Sequence, residues 1–150
     1  MTTTITASRP LTSRGAVTGI GLAAGVVAAA GTAVGAHDWR ELFVVVAVIA
    51  ATTALVFGLV VPRALAKESA GGTALGLAIP ALLLLLPAFW SGLPLVLGVA
   101  AIVVGNAGRR APTGAGKCIA GLVLGTLAAV GYVAIYVSDA MNGGAGFLFS

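Results

Sequence analysis

Charged residues are scarce in this 150-residue chain: they make up 8% of the sequence, against about 25% in soluble globular domains. Eight basic and four acidic residues are too few to cover the surface of a soluble domain of this size. Cysteine is scarce too, and a single Cys excludes an intrachain disulfide and a cysteine-based metal cluster. Apolar residues reach 59% and the mean hydropathy is +1.12. The composition therefore predicts an integral membrane protein.

The apolar residues fall into runs that charges and prolines interrupt. A helix needs about 20 mostly apolar residues to cross a bilayer. The uncharged stretch 69–108 is too long for one span and divides between Pro87 and Pro94, because proline is tolerated in the first turn of a helix but not in its interior. We expect Ser91 or Gly92 to be the N-cap of the helix that begins there. The sequence predicts an all-α integral membrane protein, a bundle of five transmembrane helices at residues 15–36, 42–62, 72–89, 93–108 and 117–138.

Basic residues alternate between the two sides of this predicted bundle. Seven of the eight Lys and Arg residues lie in the N-terminal tail, the second loop and the fourth loop. Cytoplasmic loops carry an excess of Lys and Arg, so we expect a cytoplasmic N-terminal tail at 1–14 and a short external tail at 139–150. The residues between them, 15–138, form the predicted membrane domain. Trp39, Trp90, Tyr132 and Tyr136 fall at the predicted outer helix ends, where Trp and Tyr are common.

Two parts of this topology have alternatives. A basic tail, an apolar run and a small-residue site ending at Ala36 resemble a signal peptide, so residues 1–36 are a candidate for cleavage. The apolar run is longer than is usual for such peptides, which favours a span. The third and fourth helices are short, and a re-entrant hairpin is the alternative to two full crossings.

Glycines at helical spacing are frequent in the first and last predicted helices. Small residues let helix backbones approach closely in lipid, where no water-driven hydrophobic term brings them together. The predicted packing positions, each paired with a glycine four residues away, are Gly21, Gly25, Gly31, Gly35, Gly121 and Gly125. The expected contacts are within the protein, and contacts with other membrane subunits are the alternative.

Residues with reactive or ligating side chains are absent from the predicted spans, apart from one cysteine. No Asp, Glu, Lys, Arg or His lies in the interior of a predicted helix, although such residues usually mark function in a membrane protein. The run from Thr113 to Cys118 resembles a phosphate loop only in part, because that pattern needs Gly at position 111 and Ser or Thr at position 118, where this chain has Ala111 and Cys118. The single histidine, His37, cannot form a metal site alone. We expect no catalytic residue, no metal and no cofactor.

One basic cluster stands out in the fourth loop. Arg109, Arg110 and Lys117, here called the basic cluster, are its members. Juxtamembrane Lys and Arg attract anionic lipid headgroups, so the cluster is a candidate lipid contact. Its alternative role is only to keep the loop on the cytoplasmic side.

The region around this loop resembles a known family. The run GNAG at 105–108 ends one helix, and GKCIAGLVLG at 116–125 begins the next. This pattern is similar to a domain of unknown function in small actinobacterial membrane proteins, over residues 72–136. Asn106 stands where that family usually has His. The resemblance implies a bacterial plasma membrane and an unassigned role, and it transfers no catalytic residue.

The sequence thus favours a small multi-pass membrane protein that is not an enzyme. We expect a structural or accessory subunit of a larger membrane complex. The alternative is a small homo-oligomeric transporter or channel component, although few polar groups are present to line a pathway. The expected partners are the lipid bilayer and other membrane subunits that contact the glycine-rich helices, and no nucleic acid.

Overall fold

The computed structural model describes residues 13–35, 38–66, 70–110 and 113–141, and this part of the chain is helical and contains no strand. The all-α prediction is confirmed. The α-helices are α1 (Arg14–Gly35), α2 (Trp39–Leu55), α3 (Val61–Ala66), α4 (Ala70–Leu83), α5 (Leu93–Gly108) and α6 (Ala115–Met141). A π-helical turn, Val56–Val60, joins α2 to α3, and a 3-10 turn, Phe89–Ser91, precedes α5.

The second helix is longer at both ends than the predicted 42–62. It begins at Trp39 because the Asp38 carboxylate caps it, accepting a hydrogen bond from the Arg40 backbone N–H at 3.2 Å. At the other end the helix passes through Pro62 and ends at Ala66. The π turn precedes Pro62, and the Val61 N–H bonds to the Val56 carbonyl five residues back. The wider turn accommodates a proline that offers no N–H and crowds the preceding turn.

The third predicted helix, 72–89, is wrong at its C-terminal end. α4 ends at Leu83, and turns occupy 84–88. There the Leu85 N–H bonds to the Leu82 carbonyl only three residues back. Pro87 has no N–H for the Leu83 carbonyl and disfavours a helical conformation in the residue before it, so the α-helix stops short of the proline.

The fourth predicted helix, 93–108, matches α5 in both bounds. Gly92 is its N-cap, with a φ of 67°, and Pro94 lies in its first turn, as predicted. The other two helices differ slightly from prediction. α1 begins at Arg14 rather than residue 15, and α6 covers Ala115–Met141 rather than 117–138.

α5 is the central helix of the fold. It contacts every other α-helix, and its most extensive contacts are with α4 and α6. Val96, Ala100, Ala101 and Val104 on α5 are fully buried. α5 contains no charged residue and is apolar on every face, which is typical of a helix enclosed by its neighbours or spanning a membrane. α1 and the α2–α3 helix pack on the outside of this three-helix centre.

Among the described residues, three helical segments are long and apolar enough to cross a membrane: Arg14–Ala33, Trp39–Ala66 and Ala115–Asp139. Large apolar side chains on their outer faces are exposed, among them Val26, Phe43 and Val130. α4 has 14 residues and α5 has 16, which at about 1.5 Å per residue gives lengths of about 21 and 24 Å. Both are shorter than the ~30 Å hydrocarbon core.

Candidate functional site

Five described basic residues lie at one end of the bundle. Arg14 begins α1, Arg63 lies in α3, Arg109 and Arg110 follow α5, and Lys117 lies in the first turn of α6. Arg14 lines a cavity together with Pro62 and Leu65 of α3. At this end the start of α4 meets α6: a Cβ on Gly71 would lie 3.0 Å from the Lys117 Cβ. The last residue of α5, Gly108, packs against the start of α4, because a Cβ on Gly108 would lie 3.0 Å from the Ala70 Cβ. Tertiary packing therefore brings Arg14, Arg63 and the basic cluster to the same end.

Aromatic side chains gather at the opposite end. The Phe89 and Tyr136 rings meet edge to face with centroids 6.0 Å apart, and the Tyr132 and Tyr136 centroids are 4.8 Å apart. The Thr32 hydroxyl donates to the Ala28 carbonyl at 2.9 Å and approaches the Trp90 carbonyl at 3.2 Å. This second contact fixes the α4–α5 connection against α1.

Tyr132 lies at this end of the bundle, but in its interior and not at its surface. Its side chain is buried, at 2% exposure, and its hydroxyl has no hydrogen-bond partner among the described residues. The hydroxyl lies 2.8 Å from the point a Cβ on Gly31 would occupy. Gly31 thus makes room for a tyrosine that is part of the core.

The predicted packing glycines of α6 lie directly against neighbouring backbones. A Cβ on Gly121 would lie 2.7 Å from the Ala74 carbonyl carbon of α4. A Cβ on Gly125 would lie 2.7 Å from the Gly98 carbonyl oxygen of α5. Each distance is too short for a real Cβ, so these two positions set how closely α6 approaches its neighbours.

Two packing glycines of α1, Gly21 and Gly25, meet side chains of the second helix instead. A Cβ on Gly21 would fall against the Phe57 ring, and one on Gly25 would lie 3.1 Å from the Thr53 Oγ1. Thr53 and Phe57 are four residues apart, as are the two glycines, so the pairs face each other in register. The buried Thr53 hydroxyl has no hydrogen-bond partner in the described part of the chain.

Beside this contact, residues of the two helices line a groove of about 540 Å³. Small residues stand at every fourth position along the side formed by α2 and the π turn, so few side-chain atoms fill the groove there. These residues are Ala50, Ala54 and Gly58. Leu22 and Val26 of α1 form the opposite wall. A second cavity of about 540 Å³ shares Thr18, Phe57 and Gly58 with the first and continues to Arg14. The two together are called the α1–α2 groove below.

The sequence did not predict this groove. It singled out Gly21 and Gly25 but neither Thr53 nor Phe57 as their partners, and it gave Arg14 only a topological role. The available signal was the Ala50–Ala54–Gly58 spacing within a helix of otherwise bulky residues.

Other glycines of α1 and α4 face open space. Gly15 and Gly19 of α1, and Gly72 and Gly76 of α4, have no described neighbour where a Cβ would lie. Gly35 is the last residue of α1, and its packing lies outside the described part of the structure. The fold therefore uses only part of its small-residue surface internally.

The basic cluster is exposed. Arg109 and Arg110 lie in the turn after α5, and Lys117 lies in the first turn of α6. The next residue, Cys118, is buried against Gly108. Gly114, in the run that resembles a phosphate loop, has a φ of 81° and begins the turn into α6.

Metal-ligating groups are not gathered in the described residues: no group of three or more His, Cys, Asp or Glu occurs there. His37 lies outside the described residues. No family model, curated protein or solved structure matches this chain. The resemblance of residues 72–136 to the actinobacterial domain remains a prediction.

Proposed function

We propose that the protein is a multi-pass accessory subunit of a complex in a bacterial plasma membrane, and that it acts through helix–helix contacts. The three long apolar segments cross the bilayer in this proposal, and α4 and α5 complete a five-span bundle. The central position of α5 supports this arrangement, because neighbouring helices shield a helix that is short for the hydrocarbon core.

The orientation follows from the separation of charge and aromatic residues. Arg14, Arg63 and the basic cluster share one end of the bundle, and Trp90 and Tyr136 lie towards the other. Basic residues favour the cytoplasmic side, so the N-terminus is inside and the C-terminus outside in this proposal. Single cysteines introduced on a Cys118→Ala background test it. A cysteine at position 150 should react with an impermeant reagent added outside intact cells, and labelling from the inside only would overturn the five-span topology.

The accessory role rests on the outward glycines of α4. Gly72 and Gly76 are one helical turn apart and exposed, and a Cβ on either would meet nothing within 4 Å. The opposite face of α4 is already packed, with Ala74, Ala78 and Ala81 fully buried. A small-residue surface that is left open after the fold is complete suits the close approach of a helix from another chain.

Co-purification in a mild detergent tests this role. The double variant Gly72→Leu/Gly76→Leu adds bulk to the open face, and Gly72→Ala/Gly76→Ala is its matched control. Alanine and leucine are both good helix formers, so the two variants differ mainly in size. We expect a stoichiometric unrelated membrane protein to be recovered with the wild type and the alanine variant but not with the leucine variant.

A homo-oligomer is the outcome that would overturn the accessory role. If only this chain is recovered, in one oligomeric species that conducts ions or solutes in liposomes, the protein is instead a small transporter or channel component. Equal recovery of the partner with the leucine variant would remove the α4 face from the proposal.

A further inference from the structure

We propose that the α1–α2 groove binds one acyl chain of a phospholipid whose anionic headgroup contacts Arg14. The groove is apolar along most of its length and has a cationic side chain at one end. An amphiphile with a long apolar tail and an anionic head matches that distribution of charge.

The dimensions of the groove fit an acyl chain. It follows α1 from Arg14 to Ala29, which is about 22 Å at ~1.5 Å per residue. One leaflet contributes about half of a ~30 Å hydrocarbon core, so a chain that enters at Arg14 stays beside the groove throughout its leaflet. Each cavity is also within the range of ~300–1,000 Å³ that is usual for small-molecule sites.

The shape of the groove is a consequence of the fold. Phe57 seats on Gly21 and holds the two helices at a fixed separation on one side. On the open side Gly58 is exposed and has nothing within 4 Å of a Cβ position. The α1–α2 groove therefore has packed side chains at its base and is open to the surrounding lipid.

The positive charge of Arg14 at one end of the α1–α2 groove favours an anionic headgroup. Arg14 lines the second cavity next to Pro62 and Leu65, at the end proposed to face the cytoplasm. The cytoplasmic leaflet is the one that carries anionic lipid at its surface, and it attracts basic residues beside it. The proposal does not depend on the accessory role, because it concerns the purified chain alone.

Native mass spectrometry of the purified chain, with phosphatidylglycerol and phosphatidylcholine of matched acyl chains, tests the proposal. We expect one phosphatidylglycerol to be retained at least fivefold more strongly than phosphatidylcholine. Arg14→Gln should weaken its retention about fivefold, the equivalent of ~1 kcal/mol, and Arg14→Lys should restore it. Arg40→Gln, which removes a charge at the opposite end of the bundle, should change retention little. Equal retention of the two lipids, or a loss with Arg40→Gln but not with Arg14→Gln, would overturn the proposal.

Filling the groove is the second test. Gly58→Leu places a side chain in open space inside the groove, and Ala134→Leu adds the same side chain at an exposed position of α6 as a control. Retention should fall at least tenfold with Gly58→Leu only. A phosphatidylglycerol with a photoreactive group on its acyl chain gives a readout on the unaltered protein. Its cross-links should map to α1 and α2, and cross-links confined to α4–α6 would overturn the assignment.

Discussion

The contact between Gly125 and the α5 backbone makes a strong prediction about stability. A Cβ at position 125 would lie 2.7 Å from the Gly98 carbonyl oxygen and 2.9 Å from the Ala101 Cβ. Both are below any normal contact, and the first neighbour is backbone, which cannot rotate away. Gly125→Ala therefore forces the central helix pair apart.

Two opposing contributions set how much Gly125→Ala changes the free energy of unfolding. Overpacking a well-packed interior costs about 1–3 kcal/mol, and alanine in place of glycine inside a helix returns about 0.5–1 kcal/mol. We expect Gly125→Ala to lower the free energy of unfolding by about 1–2 kcal/mol. Gly76→Ala is the matched control, because it gains the same helix term at a position with nothing within 4 Å. That variant should be stabilised by about 0.5–1 kcal/mol.

The assay is reversible unfolding in mixed micelles with increasing SDS, followed by the fluorescence of the two tryptophans. The diagnostic result is that Gly125→Ala lowers the free energy of unfolding and Gly76→Ala raises it. If Gly125→Ala is as stable as Gly76→Ala, the α5 and α6 backbones are not in contact and the reasoning fails.

Three further predictions use the same structure. Gly92→Ala should cost more stability than Gly114→Ala in the same SDS assay. Both glycines have positive φ, which costs an L-residue about 1–2 kcal/mol, but only a Cβ on Gly92 also meets a neighbour, the Ala28 Cβ at 2.7 Å; equal losses would contradict this. Tyr132→Phe should change the free energy of unfolding by less than about 1 kcal/mol, because the buried hydroxyl has no partner to lose among the described residues, whereas Tyr132→Ala should cost about 3–5 kcal/mol as a large core truncation. A large loss with the phenylalanine variant would show that the hydroxyl is bonded. Changing the whole basic cluster to Gln should disturb the orientation of the last two helices, read from a reporter at the C-terminus, and a reporter that stays fully outside with normal accumulation would show that these charges do not set topology.

The sequence by itself determined which segments are helical and, closely, where most of them lie. Apolar runs bounded by charges and prolines are a strong signal, because a backbone in an apolar medium must satisfy its hydrogen bonds within the segment. The bounds of α5 were predicted to the residue for this reason, from Pro94 in its first turn and the basic residues after its end. Local departures from regular α-helix were harder to predict. The sequence placed a helix end at Pro62, but the helix continues past this proline through a π turn.

Only the tertiary structure decided which faces of the helices meet. In a soluble protein the polar face of a helix marks its outside, but here both faces are apolar, so periodicity does not separate packed from exposed positions. Val17 is 2% exposed and Val26 is 66% exposed on the same helix, although the residue type is the same. The central position of α5, the burial of Tyr132 and the pairing of Gly21 with Phe57 all depend on close packing between segments distant in the chain, where the fit of side chains into small-residue surfaces selects the partner.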